Sequence, residues 1–549
     1  MANHNVNLPA DGMEGFKKHL SSDAMSGFLV SLLALPLSLG IAKASDFPAI
    51  FGIVSAIIGG VIVSFFAGSR LTIKGPAAGL IVIASGAVTA FGGGDAGWHL
   101  ALGAIVVAAV IQVLFGIFKL GKLADFFPSA AIHGMLAAIG VIIMSKQIHV
   151  LLGVPPAEVK GKEPLELLAM IPASILHENA HLTEIGITCL AILIVFSILK
   201  HEKIKKIPAP LVVLLVAIPM GVYLDIQHES AISNYALVKI GNIFEAFTNG
   251  KNFQTGSPFV SHGLINADFA GITTHLGDFA MYVVLFALIG SLESLLTAKA
   301  IDGMDEYKRK SDFNQDLIAV GIGNAVSGLL GGLAMISEVA RSSANVANGA
   351  KTRWANFFHG IFLLLAVVMA VPLIEMIPNA ALAAMLIFVG FRLAHPKEFI
   401  HVWHIGKEQF VVFTLTVIVT LATDLLIGIG VGILGELMMN LYNGIAPKHL
   451  FSAEIEVQEK GDTQVVTANS GLVFSNILGL KKILATLPQH KKVIIDLSQA
   501  SIVDHTSMLL LNRFTHDYKA AGGNIKISGL ENHIQLSHAN TSTRLLKKA

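Results

Sequence analysis

The sequence predicts an all-α polytopic membrane domain followed by a small α/β domain, and three observations carry that prediction. Of the 549 residues, 54% are hydrophobic and 14% charged, with a mean hydropathy of +0.69, whereas soluble domains carry about 25% charged residues. The apolar residues gather in blocks long enough to cross a bilayer, which takes about 20 residues. After about Pro447 the composition becomes that of a soluble domain. A net charge of +1 gives no global field for nucleic acid. The single cysteine, Cys189, excludes an internal disulfide and belongs to no redox or zinc motif.

Residues 1–24 are polar, and Lys17 and Lys18 stand well before the first apolar run, which does not fit a cleavable signal peptide. This segment is expected in the cytosol. The first apolar blocks are 25–42, which contains Pro36, and 49–67. Next comes Gly68-Ser-Arg-Leu-Thr72-Ile-Lys-Gly75-Pro76-Ala77-Ala-Gly79, a β-prone fragment running into Gly-Pro, and proline suits the first position of a helix. It reads as a strand followed by a half-helix. Spans near 98–118, 129–152, 182–199 and 209–225 complete about seven in the first half, before a polar segment at 227–268.

The second half offers 279–298, 314–330, the stretch 331–345, 354–372, 380–393, 409–422 and 425–441, again about seven. Ile41-Ala-Lys-Ala-Ser-Asp46 resembles Thr297-Ala-Lys-Ala-Ile-Asp302, and Ile58-Gly59 to Gly68 resembles Ile322-Gly323 to Gly332. The two halves therefore read as a diverged duplication. An odd number of spans per half inverts the copies, giving about 14 spans as a 7+7 inverted repeat with half-helices at spans 3 and 10. This alignment sets Gly75-Pro76 opposite Val339-Ala340.

Charge placement gives the orientation. Lys17/Lys18, Arg70/Lys74, Lys119/Lys122, Lys203/Lys205/Lys206, Lys308/Arg309/Lys310, Lys351/Arg353 and Lys397/Lys407 all fall on the side of the N-terminus. By the positive-inside rule both termini are then cytosolic. Segments 153–181 and 226–270 fall outside and carry no readable motif. In the C-terminal part, Val493-Ile-Ile-Asp-Leu497 reads as a buried strand, 506–520 as an amphipathic helix, and Ile525-Lys-Ile527 as a strand after the turn Gly522-Gly523-Asn524. That order implies an α/β domain with parallel pairing.

The stretch Gly331-Gly-Leu-Ala-Met-Ile-Ser-Glu-Val-Ala-Arg341-Ser-Ser-Ala-Asn345 places a carboxylate and a guanidinium in an apolar chain, where ionisable groups are costly. Ser337 is the expected cap of a half-helix whose first turn holds Glu338 and Arg341, so that backbone N–H groups face an anion. Arg341 adds a charge and a fork suited to oxyanions. The competing reading is that Glu338 and Arg341, three residues apart, neutralise each other. Glu293 and Thr297 share a helix face one turn apart. Glu293 is either a coupling-ion or gating carboxylate, or a structural acid pinned through Arg341. Lys74 is expected to snorkel toward the cytosolic interface, and Asn345 and Asn348 to bond backbone or neighbouring helices. His133, His359, His401 and His404 lack metal-ligand spacing and are expected at interfaces or in solvent. Thr506 and Ser507, at a helix start after Asp504, read either as an ordinary capping turn or as a phosphosite.

Gly290-Ser-Leu-Glu-Ser-Leu-Leu-Thr-Ala-Lys-Ala-Ile-Asp302, Asn314-Gln-Asp-Leu-Ile318, Gly331-Gly332, Ala340-Arg-Ser-Ser-Ala-Asn345 and Gly349-Ala-Lys-Thr-Arg353, with Gly75-Pro76, resemble the SulP family of sulfate permeases and related anion transporters, relatives of solute carrier 26. The resemblance implies a transporter domain at 25–445, a cytosolic STAS domain at 451–549, and a homodimer working by an elevator-like movement in the cell (inner) membrane. Its substrate site lies between spans 3 and 10, here Thr72, Gly75, Pro76, Ala77, Ser337, Glu338, Val339, Ala340 and Arg341. Sodium-coupled members bind the ion through an acid and a threonine matching Glu293 and Thr297, which would be metal ligands only in that case. Proton-coupled members carry Glu at the same place. Glu338 stands where many members have a small or hydroxyl residue. In the STAS domain Thr506 matches a phosphorylated hydroxyl residue, and Ser507 replaces a glycine.

The function this implies is secondary active transport of a small inorganic oxyanion, sulfate or bicarbonate, in symport with Na+ or H+. The protein is then not an enzyme, and it needs no cofactor besides the coupling ion. A dicarboxylate carrier, an uncoupled anion channel or exchanger, and a membrane-bound anion sensor signalling through STAS to a cytosolic regulator remain as alternatives.

Overall fold

A computed structural model describes residues 8–125, 128–159, 161–199, 207–248, 260–423, 425–488, 491–520 and 522–547. Lys203, Lys205 and Lys206, and the beginning of the N-terminal segment at 1–7, lie outside the described residues. The chain forms two compact units, residues 1–121 with 140–392, and residues 122–139 with 393–549.

The first unit begins with α1 (Gly12–Ala44) and α2 (Ala49–Val61), then strand β1 (Ile73–Pro76), α3 (Ile81–Ala90) and α4 (Gly94–Ile117). Helix α5 (Ser129–Leu151) starts in the second unit and ends in the first. It is followed by α6 (Pro164–Leu176), α7 (Ala180–Ile198) and α8 (Ala209–Tyr223). Then come α9 (Leu276–Met304), α10 (Phe313–Leu329), strand β2 (Met335–Glu338), α11 (Val339–Ala347), α12 (Trp354–Met369) and α13 (Asn379–Leu393). Among the described residues eight helices are long and apolar enough to cross a membrane, and shorter apolar helices occupy 78–90, 164–176, 209–223 and 354–369. Helix α6 lies in a segment where the sequence showed no motif.

Two strands inside a helical membrane unit need every backbone group satisfied, because lipid offers no water to do it. β1 and β2 pair antiparallel, with Ile73 opposite Glu338, Lys74 opposite Ser337, Gly75 opposite Ile336 and Pro76 opposite Met335. Side chains serve the edges that this pairing leaves. Ser342 Oγ accepts from the Ile73 amide at 2.9 Å and Asn356 Oδ1 from the Lys74 amide at 3.1 Å. Asn324 Oδ1 accepts from the Met335 amide at 2.6 Å, and Ser294 Oγ from the Ser337 amide at 3.1 Å. Close helix packing holds the frame of this ribbon. A Cβ on Gly321 of α10 would lie 3.0 Å from Ala109 O of α4, so glycine lets the two backbones touch.

The second unit contains α14 (Pro396–Ile405), α15 (Lys407–Ala422) and α16 (Leu425–Tyr442) ahead of the α/β domain. That domain comprises β3 (Ile455–Lys460), β4 (Thr463–Ala468), α17 (Ile477–Thr486), β5 (Lys492–Asp496), β6 (Ile502–Val503), α18 (His505–Ala520), β7 (Asn524–Ser528), β8 (His533–Gln535) and β9 (Arg544–Leu546). Its main sheet has the order β3-β4-β5-β7, with β4, β5 and β7 parallel, and Val493 opposite Ile525. The alternating apolar residues of these strands pack with Leu480, Leu484 and Leu511 of the two helices in one core. The strand, helix and second strand read from the sequence are β5, α18 and β7.

Candidate functional site

The two strand-to-helix junctions bring the residues singled out in the sequence together. Pro76 is the last residue of β1 rather than the first of a helix. Ala77 is extended (φ −110°, ψ 140°), and a short 3-10 turn at Ala78–Leu80 then leads into α3. A two-stranded ribbon tolerates a residue without an N–H. The expected cap also shifts: Ser337 lies within β2, and the N-cap of α11 is Glu338, whose Oε2 accepts from the Arg341 amide at 2.9 Å. Pairing with β1 keeps Ser337 extended, and the longer Glu side chain reaches the third amide of the helix. β1 ends at Pro76 and β2 at Glu338, the residue just before α11. Thr72, Ala77 and Ser337 are buried, Glu338 and Ala340 are half-buried, and Val339 is exposed.

Arg341 is fully buried, and its Nε and both terminal nitrogens have no hydrogen-bond partner among the described residues. With Glu338 Oε2 serving as the cap, the guanidinium is not hydrogen-bonded to that neighbouring acid. It lies against Gly75, where an added Cβ would come within 2.5 Å of Nη1. Glu293 is buried in α9, and its Oε1 likewise lacks a partner among the described residues. Its carboxylate lies against Gly79, where a Cβ would meet the two oxygens at 2.2 and 2.3 Å. Glu293 and Arg341 are therefore not joined by a hydrogen bond. Thr297 is buried one turn along the same helix. A buried charge without a hydrogen-bond partner costs several kcal/mol, and the guanidinium beside Gly75 and the carboxylate beside Gly79 are two groups in that position among the described residues.

Lys74 does not snorkel. It is fully buried, with Nζ 3.1 Å from Asp316 Oδ1 and 2.6 Å from Ser69 Oγ, and it also donates to Thr72 Oγ1. Asp316 further accepts from the Ser69 amide (3.1 Å), Ser69 Oγ (2.7 Å) and Ser337 Oγ (3.3 Å). The pair therefore ties the approach to β1, the start of α10 and β2 into one network. Asn345 bonds its surroundings as expected, donating to Leu71 O at 2.8 Å and accepting from Ser26 Oγ at 2.7 Å. His359 departs from expectation, being fully buried in α12 rather than at an interface. The sequence reading passed over Asn324, Asn356 and Ser294 as site-forming residues, although polar side chains inside apolar runs were the available signal.

In the α/β domain Asp504 caps α18. Its Oδ1 accepts from the Ser507 amide at 2.8 Å and its Oδ2 from the Phe474 amide at 2.6 Å. Burial pushes its carboxyl up from 3.8 to about 6, against the lowering effect of those two amides. Ser507 is fully buried, and Thr506 is half-buried.

Residues 20–416 match the sulfate permease family. The chain belongs to that family. Residues 454–537 match the STAS domain, which is the α/β domain described above. The bovine (Bos taurus) sodium-independent sulfate anion transporter is 25% identical over 545 residues, covering 93% of this chain and 84% of the relative. The bicarbonate transporter BicA of Picosynechococcus sp. is 24% identical over 420 residues, covering 76% of this chain and 69% of the relative. The solved structure of the murine solute carrier 26 member A9 anion transporter in its inward-facing state is 16% identical, with a TM-score of 0.65 over 93% of this chain and 86% of that one. Its likeness bears on the fold. The family is one of multi-pass membrane transporters, not enzymes, and its members named here move anions.

Proposed function

We propose that the transporter takes up a small inorganic oxyanion, sulfate or bicarbonate, by secondary active symport with Na+ or H+. The observation that carries this reading is the buried, unpartnered guanidinium of Arg341 at the N-terminal turn of α11, facing Gly75 at the end of β1. An oxyanion there receives a formal positive charge, forked donors, and the backbone N–H groups of a helix start. Thr72, Gly75, Pro76, Ala77, Ser337, Glu338, Val339 and Ala340 shape the cradle around it. Glu293, orphaned at Oε1 and close to Gly79, carries the coupling proton, or the sodium ion together with Thr297. No hydrogen bond joins the two groups among the described residues, so each can take its own ion.

The same reading has about 14 spans in a 7+7 inverted repeat, both termini in the cytosol, the cell (inner) membrane as location, and a homodimer working by elevator-like movement. Thr506 is the regulatory position of the STAS domain, because Ser507 is closed off from a modifying enzyme. Uptake of labelled sulfate and labelled bicarbonate into proteoliposomes, with Na+ and H+ gradients imposed separately, tests the reading. Accumulation driven by one gradient is expected. Gradient-insensitive flux would mean a channel or exchanger, and saturable binding without flux would mean a sensor.

A further inference from the structure

We propose that Asp95, His99 and His262 form a binding site for a divalent metal of the Zn2+ class, distinct from the anion site. Helix α4 starts at Gly94, so Asp95 and His99 stand one turn apart on it, while His262 arrives on the segment that leads toward α9. One ligand atom from each of the three lies within 4.8 Å of the others. His99 is 2% exposed and fixed in orientation, because its Nδ1 meets the backbone carbonyl of Asn266. With the ring N–H placed on Nδ1, the side of the shorter contact, His99 is oriented by a backbone carbonyl as metal-ligating histidines are.

In the neutral ring Nε2 is then a bare lone pair. It faces Val260 O at 3.0 Å and Asp95 Oδ1 at 3.6 Å. The carboxylate is itself steadied by the Val260 amide at 2.7 Å. In that tautomer three acceptors converge, and a cation would satisfy them. Two imidazole nitrogens, one carboxylate and one carbonyl oxygen are a set that Zn2+ accepts, at bond lengths of about 2.0–2.2 Å. The ring of His262 stacks parallel on that of His99, with centroids 3.9 Å apart. Being exposed, it is free to turn out of the stack and point a nitrogen at the ion.

Asn266 also donates its amide to Leu329 O at 2.7 Å, at the end of α10. A bound metal would therefore fasten this segment to both α4 and the turn before Gly331. The test is calorimetric titration of the purified full-length transporter with Zn2+ at neutral pH, repeated on His262→Ala and Asp95→Asn, with Co2+ absorption as a second reading. One saturable site is expected, weakened about tenfold or more by each substitution, with a four-coordinate Co2+ spectrum that His262→Ala abolishes. No saturable binding overturns the proposal. So does binding that neither substitution changes, because the ion would then sit on other histidines.

Discussion

Replacing Lys74 by methionine probes the buried pair that holds the ribbon. Lys74 and Asp316 are 0% and 1% exposed, with 3.1 Å between Nζ and Oδ1. At an effective dielectric constant of about 20 their attraction is about 5 kcal/mol, and desolvation of both groups offsets much of it. Lys74→Met leaves the Asp316 charge with only the Ser69 and Ser337 donors. A loss of about 3–5 kcal/mol is expected for such a broken pair. Asp316→Asn strands Lys74 on Ser69 and Thr72 and should cost a similar amount. In the double variant neither charge remains, so the combined loss should fall short of the sum by about 2–3 kcal/mol. Reversible unfolding of the purified transporter in mixed detergent micelles measures all three. Strictly additive losses would refute the idea that the two charges exist for each other.

Three further outcomes follow from the same geometry. Gly75→Ala should push the Arg341 guanidinium aside and weaken anion binding by about 1.5–3 kcal/mol, the worth of a charged hydrogen bond, read as a raised KM in uptake. Gly79→Ala should displace the Glu293 carboxylate and abolish the effect of the driving gradient while leaving anion binding in place, measured as gradient-driven uptake against equilibrium binding. In the STAS domain the raised carboxyl of Asp504 favours the protonated folded state. Its contribution to stability is therefore present at about pH 4 and is lost as pH rises to about 6, by up to about 3 kcal/mol. Hydrogen exchange at the Ser507 and Phe474 amides, corrected for the intrinsic rate, should show protection falling over that range, and Asp504→Asn should remove the dependence.

The long apolar helices were legible because lipid demands nearly continuous apolar runs, and the strand–helix–strand order of the STAS domain because its pattern is local. Arg341 and Glu293 were legible for the opposite reason, as costly charges in apolar surroundings. What the sequence concealed depends on partners far along the chain. Lys74 looked like an interfacial lysine until folding brought Asp316 beside it, and Ser337 looked like a helix cap until β1 paired with it. His359 looked interfacial by its chemistry, although the packing of α12 buries it completely. That Glu338 caps the helix while the Arg341 guanidinium lacks a hydrogen-bond partner among the described residues is a matter of side-chain reach that residue spacing does not fix.

In the proposed cycle Glu293 takes the driving ion and Arg341 the anion. The most direct test of this assignment is uptake of labelled sulfate and bicarbonate into proteoliposomes holding Glu293→Gln, with Na+ and H+ gradients applied in turn. Gradient-driven accumulation should disappear while anion binding persists, and undiminished accumulation would contradict the assignment.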